Sequence, residues 1–164
     1  MKLSRNFYLS EFQVSETAAR NDIDMTLDNP VFVANVKKLA QTILQPLRDS
    51  YIGDVPGKEF PVIVSSGYRP VELNKLIGGS KTSDHLTASA ADINVIEHTP
   101  MQVAERVLEL KLPFGQLILE FPNTPRCWVH ISIGTKREVL TAFRKDKKTR
   151  YVVGLHKEPD KSWL

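Results

Sequence analysis

The sequence contains a single cysteine, Cys127, among 164 residues, which excludes an internal disulfide framework and a cysteine-based zinc finger. Any metal held by this chain must be bound through histidine and carboxylate. Long apolar runs are missing as well. The longest, such as Gln116 to Phe121 or Val62 to Val64, fall far short of the ~18 residues of a membrane span, so no membrane insertion is expected. The opening MKLSRNFYLSEF lacks the apolar core of a secretory signal, so synthesis in the cytoplasm is the expectation. An excess of one charge is also lacking. The 22 basic and 19 acidic residues give a net charge of +3, and no concentrated basic stripe is interleaved with stacking aromatics, so nucleic acid is not an expected partner. Repeats, low-complexity linkers and the His-Glu-x-x-His helix of many zinc peptidases are absent too. What remains is an ordinary globular composition, 41% hydrophobic and 25% charged, over a length that suits one domain spanning 1–164.

Hydrophobic spacing predicts the elements. Phe32, Val33, Val36, Leu39, Ala40, Ile43, Leu44 and Leu47 recur at helical intervals and predict the longest helix over Asn29 to Arg48, with Asn29 as cap, Pro30 in the first turn and Pro46 bending or ending it. Phe60 to Ser66 reads as a buried strand stopping at Gly67 and delivering Tyr68 and Arg69. A short helix over Val71 to Ile77 is closed by Gly78 and Gly79, and a polar loop to Ser89 leads into a strand over Ala90 to Ile96. Thr99, Pro100 and Gln102 predict a capping box for a helix that ends before Pro113. Gln116 to Phe121 and Cys127 to Ile133 read as a hairpin; strands around Val139 to Phe143 and Tyr151 to Leu155 flank a basic stretch, with Lys145, Lys147, Lys148 and Arg150, read as a solvated turn. The order of elements gives an α+β fold, helices packed on a small, mainly antiparallel sheet.

Two of the four histidines keep unusual company. His85 lies in a loop of small residues leading to Asp92, an aspartate flanked by apolar residues in a strand, where an ionised carboxylate is costly unless paired or bound to a metal. His130 sits inside the apolar strand Trp128-Val129-His130-Ile131-Ser132. Two imidazoles and one carboxylate make a three-ligand set that leaves a fourth zinc position for water; a hydrogen-bonded core histidine is the alternative reading. His98 and His156 read as solvated surface residues, and Trp128 as core.

The segments Ser65-Ser66-Gly67-Tyr68-Arg69-Pro70, Leu73-Asn74 with Ile77-Gly78-Gly79-Ser80, Ser83-x-His85 leading to Ala90-x-Asp92, and Trp128-Val129-His130-Ile131-Ser132 together resemble the zinc D-Ala-D-Ala carboxypeptidase family, peptidase family M15. The likeness also takes in Phe7-x-Leu9-Ser10-Glu11-Phe12 and Leu44-x-Pro46-Leu47-Arg48, so it covers about 7–134, leaving 135–164 as C-terminal strands and tail. It is nearest to small single-domain members of bacteriophages and prophages that act as cell-wall lytic enzymes. The resemblance implies one Zn²⁺ held on the sheet by His85, Asp92 and His130, and bacterial peptidoglycan as the substrate. Arg69 matches the family arginine, which binds a substrate carboxylate or polarises the scissile carbonyl. Ser83 adds a hydrogen bond near the substrate or caps its loop, and Tyr68 lines the substrate cleft or packs beneath it. A monomer is expected, acting on the wall after release from the host cytoplasm or carried in a virion.

Two positions depart from the family pattern. Ala88 stands where the family usually has glycine, at a cost of ~1 kcal/mol if the position requires positive φ. Cys127 stands where several branches place the catalytic carboxylate, three residues before the last histidine ligand. A thiol does not replace a carboxylate as proton carrier. Glu120, at the end of the preceding strand, is the candidate general base, because a two-residue period puts Gln116, Ile118 and Glu120 on one face as it does Trp128, His130 and Ser132. The bond cut stays open at this level: D-Ala-D-Ala carboxypeptidase, cross-link endopeptidase and L-Ala-D-Glu endopeptidase all suit these motifs, and a non-catalytic wall-binding or virion structural module is the reading from another class.

Overall fold

After a short helix α1 (Glu16–Arg20), the long helix begins as the sequence predicts: Asn29 Oδ1 accepts the backbone N–H of Val31 at 2.9 Å, and Pro30 fills the first turn, where a missing N–H costs nothing. The computed structural model that shows this describes residues 1–146, 148–160 and 162. Helix α2 (Pro30–Leu39) does not break at Pro46. The chain widens into a π turn over Ala40–Leu44, where the Gln45 N–H reaches back to Ala40, and α3 (Gln45–Asp49) continues from it. A proline inside a helix has no N–H to give and crowds the carbonyl one turn back, and the wider turn relieves both. The apolar stripe therefore runs on unbroken, and Val36, Leu39, Ala40, Ile43, Leu44 and Leu47 are fully buried. Helix α4 (Val71–Leu76) ends at Gly78 in the left-handed region, and α5 (Pro100–Glu109) starts with the predicted capping box between Thr99 and Gln102.

Six strands form one sheet: β1 (Val62–Ser66), β2 (Ala90–Val95), β3 (Phe114–Glu120), β4 (Trp128–Ile133), β5 (Glu138–Lys145) and β6 (Lys148–Val153). Their order is β1-β2-β4-β3-β5-β6, antiparallel at every junction except β3 with β5, which is parallel. This is the expected α+β fold on a mixed sheet. Alternate residues of the central strands, among them Ile93, Leu119, Val129 and Ile131, join the α2–α3 stripe and Val103, Ala104 and Val107 of α5 in a continuous apolar core. The opposite parity carries Asp92, Ile118, Glu120, Trp128 and His130, so helices cover one face and the other is left for a site.

The basic stretch near the C-terminus corrects the sequence reading. Arg144, Lys145, Lys148 and Arg150 belong to the β5–β6 hairpin rather than to a solvated turn, and Lys147 lies outside the described residues. Basic side chains on an edge hairpin look like a turn in sequence, because only the buried Thr141, Ala142 and Phe143 carry its strand signal. His98 is not a plain surface residue either: its ring lies 4.5 Å from that of Tyr51 and 4.8 Å from that of Phe60, centroid to centroid. His156 is half-buried and hydrogen-bonded to the Val153 carbonyl at 2.7 Å, which secures the chain after β6. Among the described residues no helix is long and apolar enough to cross a membrane.

Candidate metal centre and cleft

A bulge in β1 sets the geometry of the site. Val64 pairs with Ile93, but Ser66 rather than Ser65 pairs with Asp92, so one extra residue turns the strand end onto the site face. Gly67 then passes so close to Phe12 that a Cβ there would lie 2.6 Å from the Phe12 Cα, and the Tyr68 N–H bonds to the Phe12 carbonyl. That contact swings Tyr68 away from the cleft toward the helices, where its ring packs 6.1 Å from that of Phe32. Of the two readings of Tyr68, the packed one fits this placement, and Tyr68 is not among the residues lining the cleft. Arg69, the next residue, returns to the site: its backbone N–H bonds to the His85 carbonyl, its Nε donates to Ser66 Oγ at 2.9 Å, and its Nη2 pairs with Asp92 Oδ2.

Opposite this strand end, a 3₁₀ turn over Asp84–Thr87 carries His85 and closes at Ala88, whose φ of 54° lies in the left-handed region. The departure from glycine therefore carries its cost of about 1 kcal/mol. The buried Ala88 methyl returns about 0.8 kcal/mol of that through burial in the core. The loop at Gly79 and Ser80, another wall of the site, is braced by Asn74, whose Nδ2 donates to the Ser80 carbonyl at 2.9 Å.

Three donor atoms converge. His85 Nε2, Asp92 Oδ1 and His130 Nδ1 lie 3.0 to 3.2 Å from one another, and all three side chains are buried. The β2–β4 register, which sets Asp92 directly across from His130, accounts for one edge of this triangle, and the 3₁₀ turn brings the third corner. His85 Nδ1 sits 2.6 Å from the Gly67 carbonyl, which as an acceptor demands the N–H there and leaves the Nε2 lone pair facing inward. Burial, opposed by Asp92, keeps the His85 pKa low, so this imidazole is neutral as a metal ligand must be. Burial alone would raise the Asp92 carboxyl, but its contacts with His85 and His130 hold it far below the usual carboxylate range. Donor atoms on a tetrahedral zinc with bonds of about 2.0–2.1 Å stand about 3.3 Å apart, close to these separations. The donor set fits zinc, and among the described residues it is the only such cluster.

The triangle opens into a cleft of about 350 Å³. Glu120 stands on its wall, paired across the sheet with Trp128 and therefore diagonal to His130. Burial, and then the Asp92 charge, push its carboxyl up to about 7 against the pull of His130, Arg69 and Arg144. Ser83 also lines the cleft, and its hydroxyl makes no capping bond to the turn it precedes. Trp128, read as core, is half-buried and forms cleft wall, with its ring against that of Phe121. Cys127 lies outside the donor triangle, and burial together with the Glu120 charge raises its thiol to about 11. Sequence reasoning missed Leu140, Tyr151 and Arg144, which border the cavity from β5 and β6. Their signal was the alternation along those strands, but the parallel pairing that brings β5 beside β3 joins distant segments.

Residues 5–132 match the family model described as Peptidase M15, a span that contains the whole donor triangle, Arg69, Ser83 and Glu120. The chain belongs to the M15 peptidase family. No curated protein matches it. Membership places the chain, at the level of the family, among zinc-dependent metallopeptidases acting on peptidoglycan, and the His85, Asp92 and His130 cluster is compatible with that chemistry. The M15 match ends at Ser132, so the cleft wall built by β5 and β6 comes from outside it.

Proposed function

We propose that this M15 protein hydrolyses peptide stems or cross-links of bacterial peptidoglycan, as a D-Ala-D-Ala carboxypeptidase or endopeptidase, in the setting of phage or prophage lysis. The L-Ala-D-Glu endopeptidase activity is the other bond the same site serves. The observation that carries the reading is the buried triangle of His85, Asp92 and His130 sharing one cleft with Glu120. A non-catalytic module has no use for a half-buried carboxyl held near neutrality beside such a triangle.

His85, Asp92 and His130 would hold one zinc ion. When bound, zinc supplies Lewis-acid polarisation of a carbonyl and makes water more acidic. Glu120 takes the proton of the attacking water and hands it to the leaving amine, a task its place on the cleft wall suits. Arg69 keeps Asp92 ionised and oriented through Oδ2 while lining the cleft, where its remaining N–H groups face substrate polar atoms. Ser83 offers a hydroxyl to the peptide from the opposite wall.

The test is digestion of purified peptidoglycan with and without chelator, followed by zinc add-back and mass analysis of the fragments. Chelator-sensitive release is expected, with the fragment masses naming the bond. Glu120→Gln should keep zinc and lose at least ~100-fold in turnover, the size of a general-base contribution. Turnover that survives this substitution removes Glu120 from the role, and no cleavage by folded, zinc-loaded wild type overturns the peptidase reading.

A further inference from the structure

Beyond Glu120 the cleft continues into a second lobe of about 440 Å³ whose walls include Arg69, Phe121, Trp128 and Arg144. Its two guanidinium groups differ in state. Arg69 is engaged, through Nε with Ser66 and through Nη2 with Asp92. Arg144 stands on the site face of β5, two residues beyond Ala142, with its guanidinium carbon 5.2 Å from the centre of the Phe121 ring. Among the described residues no carboxylate comes within ion-pair distance of it, so its N–H edge is not taken up by a salt bridge. The aromatic wall beneath it is held at some cost. Phe121 adopts φ 55°, with its N–H bonded to the Ala142 carbonyl at 2.9 Å, and this kink at the end of β3 lays its ring between Trp128 and Arg144. A bulky residue in the left-handed region persists only where its surroundings demand it.

Glu120 borders both the main cleft and this lobe. A group that passes a proton to the leaving amine stands beside that amine, so the residue carrying the amine sits on the Arg144 side. We propose that Arg144 is a specificity residue that pairs with a free carboxylate on the residue carrying the leaving amine. This rests on the peptidase reading above and adds what the M15 match, which ends at Ser132, does not reach. A guanidinium stacked on an aromatic ring keeps its N–H edge for a planar anion, which it meets with two parallel hydrogen bonds. Two sources offer such a carboxylate: the C-terminus of a single leaving amino acid, and the α-carboxylate of a γ-linked glutamate within the stem.

The test uses the zinc-loaded chain of residues 1–164 as wild type, Arg144→Ala and Arg144→Lys. The probes are diacetyl-L-Lys-D-Ala-D-Ala with its C-terminal amide, and L-Ala-γ-D-Glu-L-Lys amide with its glutamate α-amide. Dissociation constants are read from chemical-shift titration, and kcat/KM wherever cleavage occurs. Wild type should prefer one free acid over its amide by roughly 10- to 100-fold, the range for a hydrogen-bonded charge pair. Arg144→Ala should erase the acid-to-amide ratio, with Arg144→Lys in between. The pair that shows the effect identifies which carboxylate is read. A variant that keeps the wild-type acid-to-amide ratio, whether or not both probes weaken, overturns the proposal. Wild type that shows the Arg144-dependent preference in binding but cleaves nothing supports the proposal while defeating the peptidase reading. Cleavage without any acid preference does the reverse.

Discussion

Glu120 shows how a single side chain acquires its chemistry from its neighbours. Its carboxyl titrates near 7 in the folded protein and near 4.5 when exposed, so the folded state holds the proton more tightly. The stability that follows is complete below about pH 4.5 and is lost as pH rises through about 7. Metal-free wild type is therefore expected to fall several degrees in Tm relative to metal-free Glu120→Gln between pH 5 and pH 8. Thermal denaturation of both proteins at the two pH values checks this, and a gap that does not change with pH refutes the assignment. The identity of this carboxylate was legible in sequence from strand alternation, and so was its face. Its proximity to Arg144 was not, because that contact depends on two strands pairing over a separation of more than 20 residues. Tyr68 shows a choice that sequence left open: its place after a strand and a glycine allowed either cleft or core, and the bulge at Ser65 and the press of Gly67 on Phe12 turned it to the helices.

Among the elements, β1 and the capped helix α5 give contrasting predictions. An added methyl at Gly67 collides with Phe12 backbone while the Gly67 carbonyl holds His85 Nδ1, so Gly67→Ala should cost about 1–3 kcal/mol by overpacking and also weaken zinc retention. Thr99→Ala removes a cap whose hydroxyl meets the Gln102 N–H at 3.3 Å, far from the donor triangle. It should cost about 1 kcal/mol, some 2–4 °C in Tm, and leave zinc content unchanged. Tm and bound zinc measured on both variants separate the two cases, and equal zinc loss would break the link drawn from β1 to the site. The cap was legible because it is local chemistry spread over four residues. The helical stripe to Arg48 was legible as well, but the π turn that absorbs Pro46 was not. A side-chain network at Gln45, which accepts from Ser4 and the Asn6 backbone and donates to Asn6 and Asp49, anchors the N-terminal segment over the π turn. Nothing in helical periodicity announces it.

At the scale of the whole molecule, the donor triangle ties β2, β4 and the 3₁₀ turn across the sheet, so metal and fold are thermodynamically linked. Zinc at 1,000 times its dissociation constant adds about 4 kcal/mol to the folded state, which for a chain of this size is a rise of roughly 8–16 °C in Tm. His85→Ala should abolish that rise; a chelator that leaves the Tm of wild type untouched would deny the site its metal. Much of this protein could be read without its structure. The α+β class, the core stripe and both capped helices rest on local chemistry, and the donor set, whose histidines stand 45 residues apart, on the resemblance to a family. The tertiary structure alone decided which way Tyr68 turns, how Pro46 is absorbed, and that the β5–β6 hairpin completes the cleft with Tyr151 and Arg144. Those outcomes depend on a strand bulge, a backbone contact and a parallel pairing between remote segments. Each is settled by competition for space and hydrogen bonds among residues that local patterns never place side by side.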